Sequence, residues 1–124
     1  MKLKHLIGFQ IIDLNNYEMI VAKDSIAFTI GFDVEEGDCC GFADISNKLL
    51  VDLNNTKINP VITNIEYDED EDGNEENVRI TFFGECKAIA KIEARAGSGS
   101  GWAYGATVTA TCKLLDMNEE IASW

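Results

Sequence analysis

The residues best equipped for chemistry in this chain fall into three groups. Gly97-Ser98-Gly99-Ser100-Gly101-Trp102-Ala103-Tyr104-Gly105 sets two serines and two aromatics among glycines, Phe82 and Phe83 stand side by side, and Arg79, Lys87, Lys91 and Arg95 supply cations. Glycine lets backbone N–H groups turn toward phosphate oxygens, the Ser98 and Ser100 hydroxyls can hydrogen-bond ribose or phosphate, and Trp102 or Tyr104 offers a stacking face for a base. No Gly-Lys-Ser/Thr follows, so this is not a Walker loop. A hairpin connection whose aromatics cap the core explains the same composition equally well. Neighbours on a strand face opposite ways, so one of Phe82 and Phe83 must look toward a second layer, a partner or a ligand. The four cations are the densest basic cluster open to an anion, or else the wet face of a strand.

Catalysis has little to draw on. His5 is the only histidine, and no Ser or Cys stands in a nucleophile setting beside it. The acids crowd into one stretch, where they are poorly placed to be desolvated and raised in pKa as a general acid must be. Adjacent Cys39 and Cys40 point to opposite faces of a strand, Cys86 and Cys112 are distant, and no C-x-x-C spacing exists. We therefore expect one cysteine of the pair packed in the core, its neighbour at the turn, and no metal site. The expectation is a binding protein, not an enzyme, with no cofactor and no catalytic residue.

These groups need elements to hold them, and the pattern supplies strands. Ser25 to Val34 alternates cleanly, with Ile26, Phe28, Ile30, Phe32 and Val34 on one face. Gly8 to Ala22 reads as β segments broken at Asn15-Asn16, and Glu35-Glu36-Gly37-Asp38 as a turn into a short strand from Cys39 to Ile45. Leu49 to Pro60 reads as loop with at most a helical turn over Leu49 to Leu53. Val61 to Tyr67 and Val78 to Phe83 flank an acidic run centred on Gly73-Asn74, a hairpin with a long, solvated, charged tip. Glu85 to Ala96 fits strand by alternation and helix by propensity, and its place between strands favours strand. Gly105 to Leu114 is a Thr- and Val-rich strand, and Asp116 to Trp124 a short helical or irregular end. About six strands with turns at short intervals predict an all-β fold, mainly antiparallel, as a sandwich or rolled sheet with little helix.

A chain of 124 residues that is 46% hydrophobic with one proline is enough for one domain, 1–124, with a core of its own. Its net charge of −12 is concentrated in Glu66, Asp68, Glu69, Asp70, Glu71, Asp72, Glu75 and Glu76. Coating DNA or RNA requires clustered Lys and Arg, so that role is not expected. One small anionic ligand remains compatible if local cations face it while the acids point away. No secretory or membrane-spanning stretch is evident, which with free cysteines points to the cytoplasm.

Three motifs taken in order, Gly37-Asp38-Cys39-Cys40-Gly41, Ile80-Thr81-Phe82-Phe83-Gly84 and Ser98 to Ala106, resemble the phage Thoeris anti-defence proteins of the first type, over about Ile11 to Leu114. That resemblance implies a sponge that sequesters a cyclic ADP-ribose isomer (glycocyclic ADP-ribose, gcADPR) made by a bacterial TIR-domain enzyme, without cleaving it. It also implies a phage or prophage protein acting in the host cytoplasm, oligomeric, with pockets between protomers, some relatives also trapping cyclic oligonucleotides of the CBASS pathway. With that ligand the roles become Phe82 or Phe83, with Trp102 or Tyr104, stacking adenine, and Arg79 or Arg95 pairing with pyrophosphate. Ser98, Gly99, Ser100 and Gly101 would hold ribose and phosphate. The competing reading is a small β-rich structural or protein-interaction module whose aromatics form an interface.

Overall fold

The computed structural model describes residues 1–37, 41–53, 59–85, 87–98 and 105–124, and these build nine strands. In chain order they are β1 (Gln10–Leu14), β2 (Glu18–Lys23), β3 (Ile26–Glu35), β4 (Phe42–Leu49), β5 (Asn64–Asp72), β6 (Glu75–Gly84), β7 (Lys87–Gly97), β8 (Thr107–Cys112) and β9 (Met117–Ser123). A 3-10 turn, Leu3–His5, precedes β1, and another, Lys113–Leu115, links β8 to β9. β1-β2-β3-β8-β9 form one sheet and β4-β7-β6-β5 the other, and the paired strands are antiparallel throughout. The fold is all-β, as the alternation predicts, with β8 and β9 facing β4, β6 and β7 across the core. No helix among the described residues is long and apolar enough to cross a membrane.

Period-two burial explains why these segments hold as strands. β6 turns Val78, Ile80 and Phe82 inward, and β7 turns Ala90, Ile92, Ala94 and Ala96 inward; all seven are essentially buried. Apart from Ile92, the alanines leave β7 with little bulk on its inner face, which lets β9 approach it and bury Met117, Ile121 and Ala122. On β3 the same alternation buries Ile30 and Phe32, whereas Ile26 and Val34, at the strand's two ends, stay 56% and 39% exposed. Within Glu85 to Ala96, the residues from Lys87 onward form strand β7, because alternate residues must serve a core face and a wet face at once.

Several expectations are corrected. The acidic run is no loop tip: β5 extends through Asp72, β6 begins at Glu75, and only Gly73-Asn74 turns. Gly73 takes φ +63°, the positive value that the first position of a two-residue hairpin connection demands. The acids are therefore fixed on a ladder that sets Glu71 opposite Glu76 and Asp72 opposite Glu75. Asp116 to Trp124 is not helical; β9 pairs with β8 along its length, hydrogen bonding to a partner strand overriding the helix propensity of Met, Glu and Ala. β4 runs on to Leu49, beyond the short strand expected to end at Ile45. Val61 makes only an isolated bridge to Gln10, and β5 starts at Asn64. Cys39, Cys40 and Cys86 lie outside the described residues, and Cys112 is free and buried.

The sandwich has two distinct ends. Phe42 stands opposite Gly97, Gly97 opposite Glu75, and Glu35 opposite Thr107. A methyl built on Gly105 (φ +89°) would stand 3.6 Å from the Gly37 Cα. Gly37, Ser98 and Gly105 therefore gather at one end, beside the Gly73-Asn74 turn, where the Ser98 N–H donates to the Asn74 carbonyl at 2.8 Å. At the other end lie Ile7, Leu50, Val61 and the β6–β7 connection, where the Leu50 N–H donates to the Ile89 carbonyl.

Candidate functional site

Outward-facing residues of the four-stranded sheet form a grid because the strand register aligns them. One row reads Asp70, Asn77, Arg95, Asp44 across β5, β6, β7 and β4, and the next reads Asp68, Arg79, Glu93, Ser46. All eight line a shallow groove of about 570 Å³, floored by Val78 and Ala94. With strands about 4.8 Å apart and alternate residues about 7 Å apart, the grid spans roughly 14 by 7 Å. Arg79 and Arg95 are diagonal neighbours on adjacent strands, roughly 7–8 Å apart at the backbone, so both guanidiniums can reach one ligand.

The cations are not equally committed. Arg95 holds Asp44 at 2.6 Å, lies 3.9 Å from Glu75 and sits 5.1 Å from the Phe42 ring centroid. The Asp44 hydrogen bond raises the guanidinium pKa further. Arg79 is only loosely held, 4.0 Å from Glu93, because that carboxylate is taken by Lys91 at 2.6 Å. The Lys91 hydrogen bond keeps the Glu93 carboxyl below its usual range. The Arg95–Asp44 side chains are 47% and 56% exposed, so the pair is worth no more than about 1 kcal/mol and an incoming anion can open it.

Arg79 and Arg95 are thus brought together, but among the described residues Phe82, Phe83 and Ser98 do not join them in the groove. Phe82 is fully buried beneath the sheet, a correction to its proposed stacking role, because its parity matches Val78 and Ile80. Phe83 is half-buried on the opposite side of β6, where a bulge gives β7 the extra residue Ile89. Phe82 pairs with Ala90, seven residues from Gly97, so the aromatic pair lies roughly 23 Å along the strand from the end where the glycine-rich segment starts. Ser98 is also fully buried, which removes its hydroxyl from a solvent-facing role. Gly99, Ser100, Gly101, Trp102 and Tyr104 lie outside the described residues.

Gly97 is fixed by close approach. A Cβ there would stand 2.6 Å from Phe42 Cζ and 2.7 Å from the Asn74 carbonyl oxygen, so only glycine lets β4 and the hairpin turn close over it. The sequence reading missed Asp44, Ser46, Asp68, Asp70, Asn77 and Glu93 as groove residues. Equal parity of Arg79 with Asn77, and of Glu93 with Arg95, was the available signal; which strands lie side by side was not.

A charged groove on the outer face of an antiparallel β-sandwich is the class of site defined here. No family model, curated protein or solved structure matches this chain.

Proposed function

We propose that the chain is a non-catalytic binding protein that captures a cyclic ADP-ribose isomer, gcADPR, as the resemblance to phage Thoeris anti-defence proteins implies, and sequesters it intact in the host cytoplasm. The observation that supports this reading is the convergence of Arg79 and Arg95 in one groove. Two guanidiniums at diagonal spacing suit a pyrophosphate, and a groove of this volume falls in the range that small molecules occupy. In this proposal a second protomer completes the pocket and supplies adenine contacts, as the resemblance implies. Cyclic oligonucleotides of the CBASS pathway are the next ligands to try.

Calorimetric titration of the protein with gcADPR tests the reading, with Arg79→Gln and Arg95→Gln as companions and chromatography of the nucleotide after denaturation. Tight binding, loss of about tenfold or more in each variant, and recovery of intact nucleotide are expected. Silence with gcADPR and cyclic oligonucleotides at micromolar protein would overturn it. The protein-interaction reading would then gain, favoured by the apolar Ile7, Leu50 and Val61, exposed at 49%, 42% and 41% at the other end of the sandwich.

A further inference from the structure

We infer that Asp68 and Asp70 recognise vicinal hydroxyls, so that the groove selects a ribosyl diphosphate over a bare diphosphate; this deepens the binding reading above and rests on it. A phosphate-only ligand leaves the composition of the groove unexplained. Four carboxylates, from Asp44, Asp68, Asp70 and Glu93, share the grid with two guanidiniums, and for a purely anionic ligand every one of them is adverse. Two carboxylates are already occupied: Asp44 by Arg95, and Glu93 by Lys91. Asp68 and Asp70 have no hydrogen-bond or ion-pair partner among the described residues, although Asp68 stands opposite Arg79 in the ladder.

An ionised carboxylate only accepts hydrogen bonds, and two oxygens on one carbon suit the two O–H donors of a cis-diol. Such bonds are charge-assisted and short, whereas the same oxygens repel phosphate. The grid is therefore polarised across the strands: acceptors at the β5 edge, and the guanidiniums of β6 and β7 in the middle. A ligand with a sugar diol at one side and a diphosphate about one strand spacing away satisfies both halves in one orientation. Inorganic pyrophosphate satisfies one half and is opposed by the other.

The test is a double substitution, Asp68→Asn with Asp70→Asn, titrated with two probes, ADP-ribose and inorganic pyrophosphate. Asn keeps the shape and lowers the charge, and both side chains are exposed, so folding is undisturbed and circular dichroism checks it. Glu66→Gln removes a charge from the same face of β5 outside the groove and serves as the control. The expected result is opposite signs: ADP-ribose weakens about tenfold or more while pyrophosphate tightens about twofold or more, with the control leaving both within twofold. If both probes tighten in the double variant, or if Glu66→Gln reproduces its effects, the carboxylates act only as repelling charge and the inference falls while the binding reading stands. If the wild-type protein binds neither ADP-ribose, nor gcADPR, nor cyclic oligonucleotides, the binding reading falls and takes the inference with it.

Discussion

Phe82 and Phe83 are chemically identical neighbours that the fold treats oppositely. Strand parity requires that they part, and the sequence makes that much plain. Which of them enters the core depends on Val78 and Ile80 having the parity of Phe82 and facing the other sheet. Phe82→Ala should therefore cost about 3–5 kcal/mol, and Phe83→Ala no more than about 1 kcal/mol, in urea unfolding curves. Equal costs would place Phe83 in the core as well and contradict the register. Arg79 and Arg95 carry a similar lesson: each reads alone as a surface cation, and only cross-strand pairing makes them diagonal neighbours with different degrees of engagement.

At the level of elements, the N-terminal turn is as firmly tied down as a strand. Leu3 and Leu6 are fully buried, and the Leu3 N–H donates to Glu119 at 2.7 Å. The other carboxylate oxygen of Glu119 accepts from the Tyr67 hydroxyl at 3.0 Å, so one nearly buried side chain ties the turn to β9 and β5. Burial, reinforced by Glu119, pushes the Tyr67 phenol well above the usual tyrosine range, which keeps it a donor. Removing the acceptor strands two donors, so Glu119→Ala should cost about 2–4 kcal/mol by thermal or urea unfolding. Glu119→Gln, which keeps an acceptor oxygen, should cost clearly less. The sequence hid this device because Asp116 to Trp124 reads there as a short helical or irregular end, with no partner strand to turn Glu119 inward.

For the whole molecule, the dominant fact is an excess of negative charge fixed on strands. Glu76 has its carboxyl pKa raised, first by burial and then by Glu69, Glu71 and Glu120, against a lowering hydrogen bond from the Ser123 N–H. A folded pKa above the unfolded one favours the protonated group, so Glu76 contributes more stability as pH falls through that folded value. Glu93, held low by Lys91, works the other way: its contribution is present above the unfolded carboxyl pKa and is lost as pH falls through the lower folded one. Self-repulsion eases over the same acid range as Glu76 titrates. The melting temperature, followed by circular dichroism, should therefore rise as pH is lowered into the upper part of the carboxylate range and decline once pH falls below the usual carboxylate values. Salt added near pH 8 should reproduce part of the rise by screening the β5–β6 acids. A melting temperature flat in both variables would mean that the like-charge ladder costs nothing.

For β7 alternation left helix open, and for Arg79 and Arg95 it offered an anion site or a wet face; by itself it determined that this chain is all-β and that β3, β6 and β8 exist about where they do. Those properties follow from a period of two, which is local. The extension of β5 through the acidic run, the strand at the C-terminal end, the burial of Phe82 in place of Phe83 and the eight-residue grid were decided by tertiary structure. Each depends on which strands lie side by side and in what register, and those are set by burial and hydrogen bonding between segments far apart in sequence.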